Sequence, residues 1–110
     1  MKALAIRQPF AEHIAKGKKR IEYRSWQTHY RGPLVIIASG SLHKSSELES
    51  DKLLPRSCLV CLVDLVKITG DDGNYEWHLR NPRRLEQVRY TKSRVMTFDL
   101  EDPSIVKLAR

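Results

Sequence analysis

Between Gly17 and Trp26 the chain gathers a lysine, a glutamate, an arginine and two aromatic rings: Lys19, Glu22, Arg24, Tyr23 and Trp26. An ammonium and a carboxylate that share a cleft can do chemistry together. The ammonium stabilises an anion or a developing oxyanion, and the carboxylate takes a proton from water. A carboxylate beside Lys19 would favour its charged form, which argues against a free-amine base or nucleophile. Glu22 can equally accept a hydrogen bond from the exocyclic amine of a nucleobase. Arg24 can grip a phosphate with two parallel bonds, or simply pin Glu22 in place. The bland alternative is an ion-pair network on a strand face, with no ligand at all.

The elements that must hold these groups can be read from spacing. Phe10, His13 and Ile14 recur at helical intervals, and Gly17 can take the left-handed backbone that ends a helix. From Arg20 onward charged and apolar residues alternate, with Ile21 and Tyr23 on one side and Arg20, Glu22 and Arg24 on the other. The segment therefore predicts a helix running directly into a strand. Strict pleating would separate Lys19 from Glu22, whereas a bulge or the bend itself could bring them together.

Composition narrows the partners. A chain of 110 residues reads as one domain, residues 1–110, able to bury about 65% of its unfolded surface without staples. Lysine and arginine number 20 against 13 acidic residues, a net charge of +7. The basic residues fall into Lys16–Arg24, Arg80–Arg94 and the tail, a distribution that favours nucleic acid, although charge excess also serves solubility. No run approaches the ~20 apolar residues of a membrane span, nor a signal peptide, so an intracellular, cytoplasmic protein without membrane association is expected. Cys58 and Cys61 form a lone C-x-x-C. In a strand, residues three apart point to opposite faces, so buried structural thiols are expected rather than a metal or redox pair. The four histidines show no paired ligand spacing; no metal and no cofactor is expected.

Along the chain, Ala3–Ile6 predicts a first strand, Pro9 opens a helix that runs to about Lys16, and the second strand follows at once. Tyr30-Arg31-Gly32-Pro33 predicts a turn before a buried strand over Leu34–Ala38. Ser39–Ser46 reads as a polar connection, and Glu47–Leu54 as a short helix stopped by Pro55. Cys58–Ile68 is the expected central strand, and Gly70–Asn74 a loop. Tyr75–Leu79 is another strand, Asn81-Pro82 starts a turn, and Arg94–Leu100 closes the sheet. The fold class expected is α+β, predominantly β: a small, partly closed β-barrel with two short helices.

Several segments resemble one family. Ala3-Leu4-Ala5-Ile6-Arg7-Gln8-Pro9-Phe10-Ala11, Gly17-x-Lys19-x-x-Glu22-x-Arg24-Ser25-Trp26, Tyr30-Arg31-Gly32-Pro33-Leu34 with Ala38-Ser39, Cys58 to Leu65, and Trp77-x-Leu79-x-Asn81-Pro82 are similar to the ASCH domain. That domain is a branch of the PUA-like superfamily. The likeness covers nearly the whole chain and is greatest to the ASCH domain of the activating signal cointegrator family and to small stand-alone microbial ASCH proteins. It implies a PUA-like barrel with a cleft beneath the first helix, into which Lys19 and Glu22 project. It implies RNA or another nucleic acid as ligand. Some small members hydrolyse N4-acetylcytidine, and ribonuclease activity is attributed to others. Three positions depart from the pattern: Phe10 replaces a frequent tryptophan, Lys92-Ser93 a common Lys-Gly pair, and Glu22 the threonine of the acetylcytidine-hydrolysing members.

The remaining aromatics divide by context. Tyr23 and Trp77 are expected in the core, whereas Trp26 and Tyr30 sit among polar residues near Arg24 and Arg31 and are better placed to stack on unpaired bases. Arg83 and Arg84 are phosphate-contact candidates, a solvated charged turn being the ordinary alternative. The expected site is thus a cleft lined by Lys19, Glu22, Arg24 and Ser39, with ligand contacts from Ser25, Trp26, Tyr30, Arg31, Arg83 and Arg84. Its expected partner is RNA, single-stranded nucleic acid or a modified nucleoside. The alternatives are a metal-independent hydrolase, in which Lys19 and Glu22 are catalytic, and an interaction module for an acidic protein. Oligomeric state is not legible.

Overall fold

The computed structural model describes residues 1–46, 48–92 and 96–110. Six strands and two short helices occur among them in the order β1 (Lys2–Gln8), α1 (Phe10–Ala15), β2 (Ile21–Arg24), β3 (Gly32–Leu42), α2 (Glu49–Lys52), β4 (Cys58–Asp71), β5 (Asn74–Arg84) and β6 (Phe98–Asp99). One sheet holds all six strands, ordered β2-β5-β4-β3-β1-β6. Only β1 and β3 run parallel, and the crossover that parallel strands require is supplied by α1 and β2. The result is the predominantly β, barrel-like α+β fold that the sequence predicts. The backbone ladder itself stays open, with β2 and β6 at its edges.

Both faces of the sheet are covered, which explains the continuous apolar runs in β3 and β4. On the inner face Leu4, Ile6, Leu34, Ile36, Val63, Leu65 and Trp77 pack with Ala11 and Ile14 of α1. On the outer face Ala3, Val35, Ile37 and Leu59 meet Leu85, Phe98 and Leu100 from the chain beyond β5. Trp77 is wholly buried, as expected, and its indole N–H donates to the Trp26 carbonyl at 3.2 Å.

A six-residue helix is too short to persist alone, and α1 is held from three sides. At its start the buried Gln8 accepts the Glu12 N–H at 2.9 Å and donates to the Pro55 carbonyl at 2.9 Å. In its middle the buried Glu12 takes both terminal nitrogens of the Arg84 guanidinium at 2.9 Å each, tying the helix to β5. At its end Gly17 adopts φ +76°. There the Gly17 N–H reaches the Ile14 carbonyl at 3.0 Å and the Lys18 N–H the His13 carbonyl at 2.9 Å, the paired bonds of a glycine-ended helix.

Several expectations need correction. The turn at Gly32-Pro33 is the start of β3, a position where proline's missing N–H is tolerated, and that strand continues through Leu42 into the segment read as polar connection. The loop at Gly70–Asn74 contracts to a two-residue turn, Asp72-Gly73, with φ +45° and +81°, as a tight hairpin requires. Asn81-Pro82 lies inside β5 as a bulge, past the last residue paired with β2. Tyr23, expected in the core with Trp77, is 63% exposed. The alternation is real with its sense reversed, because the inner face of β2 borders a cavity instead of the core. A second bulge lies in β4 at Val60, where the consecutive residues Ile36 and Ile37 of β3 pair with Cys61 and Leu59. It restores both cysteines to one face, where they join the inner core as free, buried thiols. The start of the Glu47–Leu54 helix, that of the Arg94–Leu100 strand, and Ser93 lie outside the described residues. No helix among the described residues is long and apolar enough to cross a membrane.

This packing has consequences for thiol reactivity and for acid stability. Burial pushes the Cys61 thiol up to about 12 and raises that of Cys58, so neither should react with Ellman's reagent at pH 8 in the native state, and both should react in denaturant. The Arg84 guanidinium holds the Glu12 carboxyl below its ordinary value. The stabilisation is therefore complete above the unfolded-state value and is lost as pH falls through the depressed folded one. Arg84→Met should cost about 1–3 kcal/mol at pH 7, towards the lower end because the Arg84 side chain is 47% exposed. It should also shrink the drop in urea midpoint between pH 7 and pH 3; an unchanged drop would exclude this pair as its source.

Candidate functional site

The bend between α1 and β2 sets the site. The His13 carbonyl accepts from Lys19 N–H as well as from Lys18 N–H, at 3.1 and 2.9 Å, and this shared acceptor folds the chain back under the helix end. Lys19 precedes the strand and escapes its pleat, so its side chain and that of Glu22 can meet. Lys19 Nζ stands 3.5 Å from Glu22 Oε1, and Arg24 Nη2 donates to Glu22 Oε2 at 2.9 Å. The Tyr23 N–H adds a 3.2 Å bond to Oε1. The Lys19 ammonium also lies over two rings, 5.3 Å from the Phe10 centroid and 5.2 Å from that of Tyr23.

Arg24 does a second job. Its Nη2 donates to the Ala5 carbonyl at 3.1 Å. That carbonyl is available because β6 pairs only with Lys2 and Ala3 of β1. The side chain thus spans the gap between edge strand β2 and the uncovered side of β1, and the sheet curls around a cavity of about 700 Å³. Ala5, Ile6 and Arg7 of β1 form one wall, and Lys19, Glu22, Tyr23 and Arg24 the opposite one. Phe10 stands at the helix side, and Ser39, Ser41 and His43 close the far end. Three cations, Arg7, Lys19 and Arg24, line the cavity against one carboxylate, so it favours an anion or a group rich in acceptors. His43 is fixed by its backbone N–H to the Gln8 carbonyl at 2.7 Å and packs edge-on against Phe10, ring centroids 4.8 Å apart.

The structure brings Lys19, Glu22, Arg24 and Ser39 together and places the other sequence candidates elsewhere. Ser25 borders an adjoining groove at the β4–β5 hairpin. Trp26 packs edge-on against Trp77 at 4.8 Å and belongs to the wall of the inner core. Tyr30 also packs on that core, its hydroxyl donating to the Pro33 carbonyl. Arg31 binds the Thr28 and Tyr30 carbonyls at 2.7 Å. Arg83 pairs with Asp64 at 2.8 Å, and Arg84 is committed to Glu12. Arg7, Ser41 and His43 are site residues that the sequence reasoning misses. Arg7 follows Ala5 by the two-residue period of a strand, a usable signal, whereas nothing local in the sequence reveals that β3 extends far enough to deliver His43. Among the described residues no group of three His, Cys, Asp or Glu side chains could hold a metal ion.

A curled, mostly antiparallel sheet with a short helix at its mouth and a charged cavity between β1 and β2 defines a small PUA-like, barrel-like domain. The family model described as ASCH domain matches residues 4–99, and the chain belongs to that family. Activating signal cointegrator 1 of Mus musculus is 37% identical over a stretch covering 57% of this chain and 13% of that protein. The Homo sapiens protein of the same name is 36% identical with the same coverage. The chain thus spans a small part of the length of these relatives. The crystal structure of a single-substitution mutant of the ZmASCH protein from Zymomonas mobilis matches with a TM-score of 0.61, over 80% of this chain and 74% of that one. At 14% identity this likeness bears on the fold.

Because Arg24 both pairs with a buried carboxylate and spans the sheet gap, Arg24→Ala should cost about 1–3 kcal/mol of stability. In a double-mutant cycle with Glu22→Ala, measured by urea unfolding, the double variant should lose less than the two single losses combined. Simple additivity would mean the two side chains do not depend on each other.

Proposed function

We propose that this domain, residues 1–110 acting as one unit, recognises single-stranded RNA or a modified nucleoside by seating one nucleoside in the central cavity. One observation carries the reading: a buried carboxylate held between two cations inside a cavity of about 700 Å³ that has an aromatic wall. That volume suits a nucleoside-sized ligand. A carboxylate offers about four lone-pair positions, and Glu22 is engaged by Lys19, Tyr23 N–H and Arg24, which leaves room for the exocyclic amine of a base. Phe10 offers a flat apolar surface for that base, and the exposed Arg7 stands where a phosphate would leave the cavity. The family resemblance, with its implied nucleic-acid ligands, points the same way, as does the net charge of +7.

Hydrolysis is the second reading, favoured by the 3.5 Å approach of Lys19 Nζ to Glu22 Oε1. On an N4-acylated cytidine, Glu22 would take a proton from water as the oxygen attacks the acyl carbon. Lys19 would stabilise the resulting oxyanion, and the proton would pass to the departing N4 amine as the C–N bond breaks. A carboxylic acid and the free cytidine amine are the products.

Incubating the protein with N4-acetylcytidine and with single-stranded RNA separates the readings. Recognition predicts RNA binding whose log affinity falls with log salt by about 0.7 for each phosphate contact, with Lys19→Ala weakening affinity alone. Turnover predicts instead that Lys19→Ala loses about 10²–10³ in rate while keeping much of its affinity, with Glu22→Gln impaired as well. No binding of either ligand would defeat both readings and leave the acidic-protein partner.

A further inference from the structure

Beside the central cavity lies a second one of about 310 Å³, and Lys19 belongs to the walls of both. Its floor is apolar, formed by Ile14, Val63, Leu79 and Pro82, while Arg20 and Arg80 stand at its edge. No acidic side chain lines it among the described residues. Arg20 and Arg80 are exposed, and neither takes part in an ion pair among those residues. Asp64, which faces Arg80 across the β4–β5 ladder, is already occupied by Arg83 at 2.8 Å. Arg20 Nε makes only a long bond of 3.4 Å to the Gly17 carbonyl. A shallow groove over Lys18, Lys19, Arg20 and Tyr23 runs alongside, and the exposed Tyr23 ring borders both it and the central cavity.

Apolar floor, paired cations and no carboxylate are the features of a pocket for a flat apolar body that carries an anion. Lys19, the one described residue that lines both cavities, suggests how that body arrives. The geometry points to a second nucleotide subsite: the nucleotide next along the strand sets its base against Leu79 and Pro82 and its phosphate between Arg20 and Arg80, while the backbone crosses Lys19 and Tyr23. Asn81 sits at the edge of this pocket in a left-handed bulge, φ +55°, and its amide lies 3.4 Å from Asp64, too loosely held to be committed there. It is placed to read the edge of the base. The inference rests on the nucleoside reading of the central cavity and adds to it that the natural ligand is a strand with a fixed exit path.

The test compares cytidine 5′-monophosphate with the dinucleotide pCpC by NMR titration of the intact chain. The dinucleotide should bind about tenfold more tightly, for one more base face covered by apolar side chains and one more phosphate contact, with a salt slope steeper by about 0.7 for its second phosphate. In the double variant Arg20→Ala/Arg80→Ala that advantage should vanish while the monophosphate binds as before, which also shows that the variant is folded. An advantage that survives the double variant, or is absent from the wild type, overturns the subsite and leaves the central reading standing. Parallel loss of both probes in the variant also overturns it, since a general field effect would then suffice. If neither probe binds the wild type, the central reading fails and the subsite with it.

Discussion

The Arg24 guanidinium ties edge strand β2 to β1 across a sheet that its backbone hydrogen bonds leave open. One nitrogen reaches both Glu22 on β2 and the Ala5 carbonyl on β1, so the same group that neutralises the cavity's carboxylate also sets the cavity's width. This coupling makes the site sensitive to charge. A carboxylate 10% exposed is costly to bury without partners. Two cations offset that cost, and because they approach from the strand itself and from the helix end, Glu22 also fixes how β2 lies against α1.

The helix end contributes orientation rather than bulk. Lys19 is aimed by its backbone bond to the His13 carbonyl, and this depends on the left-handed turn at Gly17. α1 depends in turn on Gln8, Glu12 and Arg84. An interaction remote from the cavity, the bidentate Glu12–Arg84 pair, therefore supports the position of the lysine within it. Arg84 looks in sequence like part of a basic surface, but it serves the scaffold.

Much of this is legible from residue types alone, for identifiable reasons. The helix stop at Gly17 can be read because few residues adopt a positive φ cheaply. The alternation in β2 can be read as a period, but not its sense, since whether the charged face looks inward depends on a cavity made by distant β1 and β3. The two cysteines are buried thiols as expected, but their shared face is not legible, because a bulge inserts one residue without altering composition. Arg83 and Arg84 are ambiguous for a related reason: their acidic partners, Asp64 and Glu12, come from other elements. Trp26 and Tyr30 look like loop aromatics until the fold sets them against the inner core, with Trp77 of β5 edge-on to Trp26.

The shortness of the two edge strands has a consequence for the protein in a crowded solution. A sheet edge is a template on which another chain can add a strand, and long flat apolar edges invite uncontrolled assembly. Here one edge is the four-residue β2, with charged side chains and a glycine-ended helix immediately before it, and the other is the two-residue β6. Beyond β6, the side of β1 left uncovered is met at Ala5 by an arginine instead of a foreign backbone. The arrangement that opens the central cavity thus also leaves little edge for a second molecule to extend.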